Sequence, residues 1–368
     1  MSIIIFIAVL VILILVHEFG HFTAAKALGM RVDEFGVGFP PNLLSIKKGE
    51  TKYSINAIPL GGFVSIFGED SEEDIKNSPD KKRAFSQKPR WAQAIVLFAG
   101  VFFNFLFAWL LFSIVFSFGI DVPGNYTSPF GEVTQKKISI LQVLEGAPAE
   151  KAGLKQGDMI KSISYNGKVL GSTKIENVTN FIEKHGEDEI KINYEREGKD
   201  KTAFLTPTVL EKTEKDQPAM GAMLSTQGKL KIMPPLSFLE GARFTGLVTY
   251  KITVLFGNLI ANAFTGEANL SSVAGPVGIV GFVSKAYQAG FIALLNFVAL
   301  ISVNLAIINL VPFPALDGGR LFMLAIEGIR RKSLNPKFMK YANLIGFALL
   351  ILLMIVVTYN DIIRLIGD

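Results

Sequence analysis

His17, Glu18 and His21 stand in the stretch "ILILVHEFGHFTAA". Histidines four residues apart on a helix share one face, about one turn apart, and can bind one tetrahedral metal together. Glu18 follows His17 by one residue, so it points roughly 100° round the helix and can address a metal-bound water. Zinc lowers the pKa of such a water, and a neighbouring carboxylate takes its proton as it attacks a peptide carbonyl. Glu18 can then pass that proton to the leaving nitrogen. The bland reading is a set of polar side chains hydrogen-bonded within a helix bundle. Against it, all three ionisable groups interrupt an apolar run, where each carries a desolvation cost and points to function. The remaining histidine, His185, reads as an ordinary surface residue on a helix.

A catalytic zinc commonly keeps three protein ligands and one open position. The chain has no cysteine, so any further ligand must be His, Asp or Glu. In "NLAIINLVPFPALDGGR", Asp317 is the first charge after a long apolar run. Pro312 and Pro314 cannot sustain helix hydrogen bonding, while Gly318 and Gly319 permit close approach. An unwound end of this kind can present Asp317 to a metal; the alternative is a helix-end charge at the membrane interface. Asn304 and Asn309 lie in the same run and can bond either a substrate backbone or a neighbouring helix.

These groups need elements to hold them, and the elements are membrane spans. Half of the 368 residues are hydrophobic. Uncharged runs at residues 91–120, 286–316 and 341–360 are each long enough to cross a bilayer. Residues 3 to about 27 reach that length only by including the motif. The expected fold is therefore a polytopic α-helical membrane protein with four transmembrane helices. Residues 26–90 contain eleven Lys or Arg, and six more lie in the connection at residues 317–340. Positive residues beside spans favour the cytosolic side, which puts both termini and residues 121–286 outside. The net charge of +5 thus reflects orientation in a lipid bilayer and gives no patch for nucleic acid. The first residues lack a basic n-region and a clean cleavage site, so they read as a span rather than a removed leader.

Between the first two spans, "TKYSINAIPLGGFVSIFGED" alternates like a strand pair turning around Ile58 and Gly61. Its apolarity fits a membrane-associated β-hairpin or a small cytosolic one, since backbone at membrane depth must be buried in protein. Residues 69–90 form a charged connection. Residues 131–210 read as an inserted α+β domain. In it "ISILQVLEGAPAEKAGLKQGDMI" gives strand, short helix and strand, Asn166-Gly167 a tight turn, 175–185 an amphipathic helix and 189–197 another strand. Residues 211–285 suggest an interfacial amphipathic region, with a helix across 239–264 carrying Arg243 and Lys251 and a break at Gly275-Pro276. The core then comprises residues 1–120 and 286–368.

The 131–210 segment resembles a PDZ domain, most clearly in "GAPAEKAGLKQGDMI", which implies an extended peptide partner or a steric filter. "HEFGH" with "NLVPFPALDGG" matches the paired motifs of the site-2 protease family. The flanking "FGVGFP", "IPLGGFVSIFGE" and "AGPVGIV" are similar to the bacterial regulator of sigma-E protease group. That resemblance covers essentially the whole chain. It implies an intramembrane zinc endopeptidase of the bacterial cytoplasmic membrane, with His17, His21 and Asp317 as zinc ligands and Glu18 as general acid and base. It further implies that Asn309, Pro312 and Pro314 shape the substrate site, and that the hairpin at Ile58 pairs with extended substrate. The chain departs from the tandem-PDZ members in having one such domain. Expected substrates are single-span membrane proteins trimmed beforehand by another protease, as in anti-sigma factor cleavage or clearance of signal-peptide remnants. A non-catalytic PDZ scaffold and a metal transporter are the rival readings.

Overall fold

The computed structural model describes residues 1–69, 75, 78–171, 174–196, 198–210, 217–265, 275–332 and 334–367. Residues 70–74 and 76–77 of the charged connection, and residues 211–216 and 266–274 of the interfacial region, lie outside them. The chain divides into two compact units, Met1–Val115 with Phe238–Asp368, and Phe116–Ser237.

The first unit is built on helix α1 (Ser2–Ala27) and helix α2 (Arg90–Phe118). Both are too apolar all round to show a single wet face, as expected of segments surrounded by lipid and protein. Burial still follows a stripe. On α1 it runs through Val9, Leu13, His17, Gly20, His21 and Ala25, and on α2 every fourth residue from Ala92 to Phe112 is buried. A side chain on Gly20 would approach the Ala99 carbonyl oxygen to 2.4 Å, so the glycine lets the two backbones come together.

Between these helices lie β1 (Val32–Lys48) and β2 (Thr51–Ile66). They exceed the single hairpin expected around Ile58, because β1 bends at residues 38–41 and each strand serves twice. Residues 44–48 pair with 51–55 across the tip at Gly49 and Glu50, while residues 34–37 pair with 52–55 on one side and 62–65 on the other. Among the described residues, 62–66 therefore forms an open edge. Leu43, Leu44, Ile46, Ile55 and Ile58 are exposed apolar side chains of this sheet. Its tip is tied down by charge: Arg83 donates twice to Glu50, and Lys26 Nζ lies 2.6 Å from Glu50 Oε1. These cations hold the Glu50 carboxyl down to about 2.

The rest of this unit comprises α5 (Leu236–Thr265), α6 (Pro276–Gln288), α7 (Phe291–Leu310), α8 (Asp317–Arg330) and α9 (Pro336–Gly367). By length and composition five described helices can cross a membrane: α1, α2, α7, α9 and, beyond the four expected, residues 236–262 of α5. The start of α5 packs on α2, where Phe244 meets Phe112 edge to face and Trp109 Nε1 donates to the Phe238 carbonyl.

The second unit is a sheet of order β3 (Ile120–Pro123), β11 (Ala222–Leu230), β4 (Thr134–Val143), β5 (Met159–Tyr165), β7 (Ile190–Arg196), β8 (Lys199–Leu205), with β6 (Lys168–Leu170) beside β5. Short α3 (Pro148–Lys151) and α4 (Ile175–Lys184) cover it. Ile138, Ile163, Val178, Ile182, Ile190 and Ile192 are packed into its core. The unit reaches past residues 131–210 because β11 inserts between β3 and β4. A two-stranded ribbon, β9 (Thr208–Val209) with β10 (Pro218–Ala219), lies beside α4. His185 is tucked in rather than free: it stacks on Tyr165 and Phe181 and bonds Asp188.

Candidate active site

Helix α1 places His17 and His21 on its buried stripe, 8% and 9% exposed. Asp317 arrives from the far end of the chain. Helix α7 stops at Leu310, six residues run irregularly, and α8 begins at Asp317. Close packing of this break depends on glycine. A side chain on Gly318 would meet the Leu310 carbonyl oxygen at 2.3 Å, and one on Gly319 the Phe313 carbonyl oxygen at 2.1 Å. Ala315 takes a positive φ of 74° within the break.

The three side chains converge. Nε2 of His17 and Nε2 of His21 are 3.2 Å apart, and they lie 2.9 and 3.4 Å from Oδ2 of Asp317. The outer ring nitrogens decide what faces inward. Nδ1 of His21 is 2.8 Å from the Val96 carbonyl, which can only accept, so Nδ1 carries the proton and Nε2 a lone pair. Nδ1 of His17 is 3.1 Å from the Asn104 amide. With the amide nitrogen on that side, Asn104 Oδ1 is buried without a partner; with the amide turned over, its oxygen accepts the Nδ1 proton and both groups are satisfied. Three lone-pair atoms then meet in a buried pocket. Asp317 Oδ2 is buried there without a hydrogen-bond partner, so its lone pairs fit a cation. The donor set is nitrogen, nitrogen and carboxylate oxygen, which suits zinc. The edge of a tetrahedron with bonds near 2.0–2.1 Å is about 3.3 Å, close to the observed separations.

The sequence profile of peptidase family M50 matches residues 5–353. The chain belongs to peptidase family M50. A relative from Clostridium acetobutylicum is 36% identical over 354 residues, covering 96% of this chain and 94% of that protein. The zinc metalloprotease RasP of Shouchella clausii is 30% identical over 434 residues, with 98% of each protein covered. This M50 peptidase is a zinc metalloprotease of the site-2 type. A crystal structure of the PDZ domain of the SdrC-like protein from Listeria monocytogenes matches 25% of the chain at 25% identity, with a TM-score of 0.21.

Around the convergence point of this M50 peptidase the other expected residues fall differently. Glu18 is half-buried on α1 beside the pair. A side chain built on Gly62 would lie 3.6 Å from Glu18 Cγ, so the sheet segment with the open edge faces this carboxylate. Gly61 points the opposite way, against the Phe39 ring, and Ile58 is exposed and paired with Phe39. Asn309 is half-buried one residue before the end of α7 and makes no side-chain hydrogen bond among the described residues. Asn304 instead donates to the Leu300 carbonyl of its own helix. Pro312 is exposed in the break, and Pro314 packs on Gly346.

Two residues that sequence reasoning passed over belong to the site. Gly100 faces both rings, and Asn104 orients His17 while Ser302 donates to the Asn104 carbonyl at 2.8 Å. Their signal was present: a glycine and an amide four apart on one face of a helix otherwise built from large apolar residues.

Proposed function

We propose that this chain is an intramembrane zinc endopeptidase that cuts single-span membrane proteins near the cytosolic face, after another protease has shortened their outer portion. Convergence of His17 Nε2, His21 Nε2 and Asp317 Oδ2 within 3.4 Å of one another carries the reading. These three residues would hold zinc, which would supply Lewis acidity to lower the pKa of a water and polarise a carbonyl. Glu18 takes the proton of the attacking water and delivers it to the leaving amide nitrogen. The Val96 carbonyl and Asn104 keep both imidazole nitrogens aimed inward.

A transmembrane substrate hides its peptide bonds in its own helix, so it must unwind, and its freed N–H and C=O groups need partners. The open edge at 62–66 can accept an added strand, and the amide of Asn309, which has no side-chain hydrogen bond among the described residues, can bond the substrate backbone. Pro312 and Pro314 keep the break open beside it. Exposed Leu43, Leu44 and Ile46 support a sheet that dips into lipid, with Lys47 and Lys48 at its wetter tip.

Chain direction supports four crossings. Helix α2 runs antiparallel to α1, because His21 meets Val96 while His17 meets Asn104. The end of α2 and the start of α7 then lie on the side opposite Asp317, so the chain between them crosses an even number of times. Helix α6, at 13 residues, spans about 20 Å, too short for a core near 30 Å. Helix α5 therefore lies along the outer interface, and the termini and the sheet unit face outward from the bacterial cytoplasmic membrane.

The outer unit is a PDZ domain that engages peptide termini. Among the described residues, 222–225 of β11 pair only with β4, which leaves their other edge open beside α4. A groove of 530 Å³ lies there, walled by Leu144, Thr179, Ile182, Met220 and Leu224. Among the described residues no Lys, Arg or His lines it, and backbone N–H groups at the turn through Gly221, whose φ is +72°, can meet a terminal carboxylate. This favours engagement over purely steric exclusion. Regulated proteolysis, such as anti-sigma factor cleavage or clearance of signal-peptide remnants, is the setting such a machine suits.

The deciding experiment pairs metal analysis with cleavage of a co-expressed single-span substrate. Glu18→Gln should retain zinc and lose cleavage by roughly a hundredfold or more. Retained cleavage rejects the mechanism, a role indifferent to zinc and Glu18 marks a scaffold, and metal flux into proteoliposomes marks a transporter.

A further inference from the structure

Glu69 and Arg320 stand outside the three-residue donor set, yet they join the two elements that the proposed reaction must keep in register. The open-edge segment ends at Ile66. The chain then turns through Gly68, at φ +70°, and Glu69 N donates back to the Ile66 carbonyl. The Glu69 carboxylate is thereby fixed just beyond the edge strand. Arg320 lies three residues after Asp317 in α8, about one helical turn on and on the same face. Its Nη1 donates to Glu69 Oε1. The side chains are 32% and 15% exposed, so the pair is shielded more than a surface ion pair. An apolar contact runs beside it, where Val64 of the edge segment and Leu321 and Leu324 of α8 pack on one core.

We propose that Glu69 and Arg320 are positioning residues that set the register of the substrate-pairing edge against Asp317 and Glu18. The inference rests on the reading of the site as an endopeptidase with strand addition at 62–66. An added substrate strand takes its position from this edge, and the scissile carbonyl takes its position from Asp317 and Glu18. The two references come from elements more than 240 residues apart, |i−j| being 251 for the pair that ties them. A misplacement of about 1 Å between them lowers turnover by roughly a hundredfold. It also admits a neighbouring peptide bond to the reactive position.

The test uses the purified full-length chain in proteoliposomes with a single-span substrate. Glu69→Gln, Arg320→Gln, the conservative Arg320→Lys and the exchange Glu69→Arg with Arg320→Glu are compared. Zinc content, thermal transition, kcat, KM and the scissile bond, read by product mass spectrometry, are measured for each. Both neutral variants should keep zinc and thermal transition, lose roughly tenfold to a hundredfold in kcat with a smaller change in KM, and cut at more than one bond. Arg320→Lys and the exchange should each recover part of the rate and the single cut. Unchanged kcat with a single cut in both neutral variants overturns the proposal. So does zinc loss that parallels the activity loss, or an exchange no better than the single variants. Glu18→Gln separates the two levels: if it still cleaves, the endopeptidase reading fails, and if it is inactive while the pair variants behave as wild type, only the positioning role fails.

Discussion

Gly100→Ala is the sharpest perturbation that the site offers. The added methyl would fall 2.4 Å from His21 Nε2 and 2.7 Å from Cε1 of His17. Carbon atoms do not remain at such distances, and relief to an ordinary contact near 3.4 Å needs about 1 Å of movement. Separating the helices to supply it would open the close packing of Gly20 on the Ala99 carbonyl that holds α1 against α2. The imidazoles must therefore move, and metal sites tolerate only about 0.2 Å in ligand distances. Helix propensity acts in the opposite direction, since alanine is favoured over glycine by about 1 kcal/mol. The variant should accordingly fold and insert while losing zinc and, with it, at least roughly a hundredfold in cleavage. Zinc per chain by mass spectrometry, the thermal transition and cleavage of a single-span substrate are the readouts. Gly246→Ala on α5 is the control, because nothing lies within 4 Å of its added methyl, and it should keep zinc and activity. A Gly100→Ala protein with full zinc and wild-type turnover would refute the packing argument.

Three other outcomes follow from the same geometry. Asn104→Leu removes the acceptor for His17 Nδ1 and should weaken zinc binding roughly tenfold to a hundredfold, whereas Asn104→Asp, which keeps an acceptor there, should largely retain it; competition with a chelator measures both. The Glu50 carboxyl is held down to about 2 by Arg83 and Lys26, so its tie at the sheet tip is complete above the ordinary carboxylate pKa near 4.3 and fades as pH falls towards 2. Pepsin cutting of the tip should therefore be slower in wild type than in Glu50→Gln at about pH 4, and the difference should shrink as pH falls through about 2. Thr179→Trp fills the outer groove and should abolish binding of peptides with a free carboxyl terminus, as fluorescence anisotropy would show, while zinc content stays unchanged.

What the sequence determined by itself is local or strictly periodic. The spacing of His17 and His21 follows from one turn of helix, and the apolar runs follow from bilayer thickness. The break before Asp317 follows from two prolines, and the Asn166-Gly167 turn from residues that tolerate positive φ. Pairing Asp317 with the histidines was legible too, because a lone carboxylate after an apolar run has few other purposes. Tertiary structure decided what depends on contacts between distant segments. Which glycine faces Glu18 turned on strand register, and a one-residue step moves Gly61 to the Phe39 side and Gly62 to the site. The insertion of β11 between β3 and β4 left no periodic trace, because its faces are only partly buried. Asn104, Gly100 and the Glu69–Arg320 tie emerged only once α1, α2, α8 and the sheet were packed together. A side chain's partner across space is fixed by packing, and a linear pattern records only the face on which that side chain lies.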